Sequence, residues 1–278
     1  MRCVLPNMNF HLTLFPYLDV LLRCHEKARQ QPDNLCGPYW IALLLQAYGQ
    51  LEVSAVDVAL AASTILPSQG DPKNWLPPGA ISLLGDGYDR IPTVSDLAAC
   101  GTSIMGLMRA TEQLSRGRFC LLPLQTADWA AGVVSLFHLC QTHPDWQAVP
   151  LLNVHTGYFW GSQLTPLQLL AYLQTGQLTP PPADWSVGHF ALITGQLQGD
   201  RHSLYAVLDT YPHFGWQGLH LQPSDALANS LQRPDLPTQG GIALFIETAV
   251  RSRVTASLKQ AKFHLAHWDN GTPDRVMG

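Results

Sequence analysis

Gln30-Gln31-Pro32-Asp33-Asn34-Leu35-Cys36-Gly37-Pro38-Tyr39-Trp40, followed by the apolar run Ile41 to Leu45, is the stretch that decides the reading of this chain. Pro32 and Asn34 disfavour helix before the cysteine, whereas Pro38 suits a first helical turn, where its missing N–H is not needed. From Tyr39 to Tyr48 nearly every residue is apolar, and Gly49 supplies a stop signal. The stretch therefore predicts a loop that delivers Cys36 onto the first turn of a buried helix. There the unpaired N–H groups and the positive end of the helix dipole favour thiolate, the nucleophilic form.

Acyl-transfer chemistry on a thiolate also needs a base, a group that orients the base, and donors for the developing oxyanion. The base candidate is His189, in Val187-Gly188-His189-Phe190-Ala191-Leu192-Ile193-Thr194-Gly195, and the orienting candidate is Asp209, in Tyr205-Ala206-Val207-Leu208-Asp209-Thr210-Tyr211. Both segments have strand composition, and the polar Gln198-Gly199-Asp200-Arg201 between them has turn composition. In a hairpin centred on Gly199, His189 and Asp209 stand equally far from the turn, so imidazole and carboxylate lie opposite or diagonal, within a side chain's reach. For the oxyanion, the Cys36 backbone N–H and the Gln30 side chain are the expected donors, with Gln31 the alternative.

In these blocks the chain resembles papain-like cysteine peptidases, and more closely the bacterial branch that trims double-glycine leader peptides. The matching residues are Gln30, Cys36-Gly37-Pro38, Gly188-His189-Phe190 and Asp209. The resemblance implies an α+β, papain-like fold in which a helix-borne cysteine packs on an antiparallel sheet carrying histidine and aspartate. It further implies a cysteine peptidase or amidohydrolase that works through a thioester, on a peptide or amide substrate such as a natural-product precursor peptide. Residues 53–184 form a longer middle region than that branch carries and do not match it in detail. Two alternatives share the fold: an acyltransferase or transpeptidase that hands the acyl group to an amine, and a non-catalytic recognition protein.

Hydrophobic residues make up 46% of the chain and charged ones only 13%, enough for an ample core and too little charge for disorder. A net charge of −4 without a basic cluster excludes nucleic acid as a main partner, while the low charge leaves room for a homo-oligomer. The six cysteines, Cys3, Cys24, Cys36, Cys100, Cys120 and Cys140, lack Cys-x-x-Cys spacing, and the five besides Cys36 read as ordinary buried thiols, which implies a reducing compartment. His264 with His267, and His213 with His220, lack the carboxylate or thiol that would complete a metal set, so neither metal nor cofactor is expected. Arg2, Pro6, Asn7, Asn9 and His11 break any signal peptide, and no apolar run reaches the ~18 residues of a membrane span. The expected location is the cytoplasm.

Along the chain, one catalytic domain is expected over residues 1–268, its 53–184 region enlarged by helices and loops, with a frayed tail over 269–278. Helices are expected from Leu14 to Ala28, after Ser54, after Thr93 or Ser95, from Ser103 to Leu114, from Ala130 to Thr142, between Pro166 and Gly176, after Ser224, and from Arg253 to His264. Strands are expected at Phe119–Leu124, Val149–Val154, Gly218–Leu221 and Gly240–Thr248. Residues 66–92, rich in proline and glycine, predict a long surface loop suited to a wall or lid. Trp40, Trp185 and the Tyr158-Phe159-Trp160 cluster are candidates to line a substrate cleft, with Gly188 letting substrate approach closely. Asp33 and Asn34 shape the loop.

Overall fold

The computed structural model describes residues 10–70, 75–237 and 239–275. The readings of the amino terminus with Cys3, and of Pro72 in the long loop, lie outside the described residues. The order is β1 (His11–Leu14), α1 (Asp19–Ala28), α2 (Cys36–Gly49), α3 (Ala55–Ala61), β2 (Leu66–Pro67), β3 (Thr93–Val94), α4 (Ile104–Leu114), β4 (Phe119–Gln125), α5 (Trp129–Thr142), β5 (Val149–His155), α6 (Pro166–Thr175), β6 (Gly188–Gln198), β7 (Ser203–Leu208), β8 (Leu219–Gln222), α7 (Ser224–Gln232), β9 (Gly241–Glu247), α8 (Arg251–Gln260) and β10 (His264–Leu265). The fold is α+β. Its main sheet is antiparallel throughout, ordered β10-β4-β9-β5-β6-β7-β8, with β1 pairing β6 beyond β5.

Helix α2 is the hub. Eleven of its residues, from Gly37 to Gly49, are buried, because its sides meet α1, α3, α4 and β6. A helix apolar all round must be enclosed in this way. Trp40 pins it to the sheet: the indole is fully buried and its Nε1 donates to the Phe190 carbonyl at 3.0 Å. Gly37 allows the approach, since a Cβ there would stand 2.8 Å from Leu107 and 3.1 Å from the Phe190 ring. The helix runs through Gly49 and stops at Gln50 in the left-handed region, one residue later than the glycine signal.

Local capping chemistry accounts for several helix starts. Ser54 and Thr165 form capping boxes with Asp57 and Gln168, and Ser103 accepts from the Gly106 N–H at 2.9 Å. Elsewhere tertiary pairing overrides the local signal. Residues 11–14 form an edge strand on β6 rather than a helix start, and α1 begins only at Asp19, after Pro16. Thr93 and Val94 pair with β2 rather than cap a helix. Residues 53–184 also supply β4 and β5 at the two strands expected there, and β5 lies directly beside the histidine strand.

The tail is not frayed over residues 269–275. Asn270 Oδ1 accepts from the Ile104 N–H at 2.9 Å and its Nδ2 donates to the Thr102 carbonyl at 2.9 Å. Asp274 accepts from Arg109 at 2.7 Å and from Ser103 Oγ at 3.1 Å. The segment thus satisfies the orphan first N–H of α4, a debt that the sequence of α4 alone leaves open.

Candidate active site

Cys36 occupies the first position of α2, so its own N–H has no partner within the helix. His189 is the second residue of β6, paired with Val154 of β5. Asp209 follows the last residue of β7, where its N–H bonds the Gly218 carbonyl at 2.8 Å. The hairpin register differs from a turn centred on Gly199: Gln198 pairs with Ser203, and a bulge between Ile193 and Gly195 shifts the ladder before Leu192 meets Leu208. Continued outward, that register leaves His189 diagonal to Asp209, and the contact survives. His189 Nε2 lies 3.3 Å from Asp209 Oδ2, with both side chains almost completely buried.

With Nε2 on the carboxylate, Nδ1 is the ring nitrogen that remains for the thiol. Burial works against a charged Cys36, but the hydrogen bond and charge of His189, and then the N–H groups of Phe190 and Gly37, outweigh it. The thiol is held below its ordinary value. Burial likewise disfavours a charged His189, and the charge and hydrogen bond of Asp209, with those of Cys36, lift it well above the ordinary imidazole range. Asp209 is opposed by its burial and held low chiefly by His189, with smaller help from His220 and the Tyr211 N–H. These directions describe a thiolate–imidazolium pair backed by a carboxylate.

The buried partner of this group is Gln31, not Gln30. Gln30 turns away and donates to the Ile81 carbonyl at 2.6 Å. Gln31 is buried, lines the cleft with Cys36, and accepts from Thr210 Oγ1 at 2.6 Å through its Oε1. Alternation explains the swap: the Gln31 N–H bonds the Thr210 carbonyl, and its neighbour faces the other way. Asp33 shapes the loop as expected, accepting from the Leu83 N–H at 3.1 Å and Ser82 Oγ at 2.5 Å.

A cleft of about 260 Å³ opens over the sulfur. Trp185 lines it, its ring 5.1 Å from that of His189, and so does Gly188. Gly188 has a second reason to be glycine, since a Cβ would stand 2.8 Å from an Arg233 guanidinium nitrogen. Trp40 does not reach the cleft; one turn beyond Cys36, it is core. Trp160 does not reach it either. It packs on Tyr172, near Leu173, Leu197 and Leu204, and borders a separate small cavity behind Asp209. From the long loop, Pro67 and Trp75 contribute to the cleft, so this segment is a wall there.

A model of a family of unknown function, DUF6885, matches residues 15–269. The chain belongs to that family. No curated protein matches it. The matched span covers Gln31, Cys36, His189 and Asp209.

Several residues of the site carried no signal in the sequence. Asn153, Tyr211 and Thr272 line the cleft, and Thr210 links Gln31 to the aspartate loop, yet none stands in a motif. Thr210 and Tyr211 directly follow Asp209 in the chain, and that adjacency is the signal that points to them. Asn270 and Thr272 arrive from the far end of the chain and needed the fold. Among the described residues no three His, Cys, Asp or Glu side chains converge as a metal set, and no helix is long and apolar enough to cross a membrane.

Proposed function

We propose that this protein is a cysteine hydrolase of papain-like arrangement, cleaving a peptide or amide bond through Cys36, His189 and Asp209. The single observation that carries the reading is the convergence, at one cleft, of a helix-start thiol, a buried imidazole and a buried carboxylate from three distant segments. The Cys36 thiolate attacks the carbonyl carbon. The Cys36 N–H and the Gln31 amide stabilise the oxyanion, and His189 then passes its proton to the leaving amine. Water activated by the neutral His189 opens the thioester and restores the thiol. Asp209 keeps the imidazole in its working orientation throughout.

No aspartate, glutamate, lysine or arginine lines the cleft among the described residues. Burying a charged side chain there without a partner is costly, so the substrate is a peptide whose residues next to the scissile bond are neutral. Free Cys24, Cys36, Cys100, Cys120 and Cys140 support a reducing, cytoplasmic setting. The test is intact-protein mass spectrometry after incubation with a library of neutral peptides, with and without an amine acceptor. An acyl adduct on Cys36 that is lost in His189→Ala supports the reading, and the acceptor arm separates hydrolysis from transfer. Absence of any adduct, together with alkylation of Cys36 no faster than that of Cys24, refutes it.

A further inference from the structure

Behind the carboxylate lies a second small cavity, of about 20 Å³, bordered by Asp209, His220, Trp185, Thr156, Asp184 and the rings of Phe159 and Phe214. That is the volume of one water molecule and little more. His220 is carried by β8 and pairs with Val207 of β7, two residues before Asp209, so it stands as the diagonal neighbour of the aspartate across the hairpin.

The hydrogen bonds around His220 fix its tautomer. Gln222 Oε1 accepts from the Trp160 N–H at 2.8 Å, which sets the orientation of the amide. Its Nε2 then donates to the Trp160 carbonyl at 2.8 Å and to His220 Nδ1 at 3.0 Å. A nitrogen that accepts cannot also carry the ring proton, so the proton sits on Nε2. The cavity that His220 shares with Asp209 is where the Nε2 N–H has room to donate. The ring is held neutral by burial, with Asp209 and Asp184 pulling weakly the other way and His189 reinforcing it.

We propose that His220 is a positioning residue: through one water held in this cavity it donates to the Asp209 carboxylate and fixes the rotamer that orients His189. This rests on the catalytic reading above and adds a support that touches neither substrate nor sulfur. The carboxylate otherwise has the Tyr211 N–H at 3.1 Å on Oδ1 and the His189 ring on Oδ2, because the Thr210 hydroxyl gives its one proton to Gln31 at 2.6 Å. A further donor restricts its rotation about χ2, in the way that outer-sphere hydrogen bonds orient metal-bound histidines.

The test follows the pH midpoint of Cys36 alkylation in wild type, His220→Leu and His220→Gln. Glutamine places an amide N–H near the position of Nε2, whereas leucine fills the space without a donor. His220→Leu is expected to move the midpoint up by ~0.5–1 pH unit, the equivalent of one lost hydrogen bond, and His220→Gln to restore most of it. A depressed wild-type midpoint that neither variant moves, or that both move equally, overturns this inference alone. An ordinary thiol midpoint in wild type overturns the catalytic reading and this one with it. Should a variant fail to fold, long-range 1H–15N correlation on the wild-type protein reads the tautomer directly, and a proton on Nδ1 overturns the assignment.

Discussion

Replacing His189 with alanine tests the electrostatics of the site most directly. In the native protein the Cys36 thiol is acidified chiefly by this imidazole, against the effect of burial. Remove the ring and burial acts with only the helix terminus and two backbone N–H groups against it. The midpoint then returns to at least the ~8.5 of an ordinary thiol. Cys140 shows the direction: burial alone pushes its thiol up to about 12. The carboxylate sets how strongly the imidazolium is held. At 3.3 Å and an effective dielectric constant of ~20, the pair attracts by ~5 kcal/mol before desolvation is counted, equivalent to ~3–4 pH units.

The assay must follow the midpoint, not the rate at neutral pH. A thiol of pKa ~8.5 is ionised ~30-fold less than a fully formed thiolate at pH 7. A more basic thiolate, however, reacts faster once formed, by ~3-fold per unit of pKa for a Brønsted slope of ~0.45. The two effects oppose each other near neutral pH, so a rate measured there understates the change in the thiol. Iodoacetamide alkylation followed residue by residue by mass spectrometry from pH 5 to 10 gives the midpoint, with the raised Cys100 thiol as internal reference. Wild-type Cys36 is expected below the ordinary thiol midpoint and His189→Ala at or above it. Agreement of the two midpoints within ~0.3 unit would refute the claim that imidazolium holds the thiolate.

Gln31→Ala should lower kcat by ~10²–10³-fold with the fold intact, as loss of one oxyanion donor does, whereas Gln30→Ala should leave kcat near wild type; the reverse order would return the role to Gln30. Unfolding free energy should be nearly flat between pH 7 and 8.5, because the native pair keeps on His189 the one proton that the unfolded chain keeps on Cys36. In Cys36→Ala only the raised imidazole remains, with its stabilisation full below pH ~6.5 and lost as pH rises, so stability should fall by up to ~1.4 kcal/mol per unit across that window in denaturant titrations. Asn270→Ala should cost ~1–2 kcal/mol by leaving the Ile104 N–H unsatisfied, and should raise KM more than it lowers kcat because Asn270 also lines the cleft. An unchanged melting temperature would mean the tail is dispensable.

By itself the sequence determined the local events. Cysteine at the start of an apolar helix, the helix starts after Ser54 and at Pro166, the two-strand signal around Gly199 and the α+β class all follow from short-range chemistry, and each appears in the structure. His189 and Asp209 remain neighbours although the hairpin register is shifted, because a diagonal pair tolerates a slip that a directly opposed pair does not.

Only the tertiary structure decided the rest. The choice between Gln30 and Gln31 turned on one backbone hydrogen bond to Thr210. The roles of Trp40 and Trp160 turned on which surface each indole met, and composition cannot distinguish a core tryptophan from a cleft tryptophan. The wall formed by Asn270 and Thr272, and the cavity joining His220 to Asp209, arise from segments far apart in the chain. Hydrogen-bond satisfaction explains the division. A helix or turn closes its bonds among neighbours that a sequence displays, whereas an orphan N–H such as that of Ile104 finds its partner wherever folding brings one.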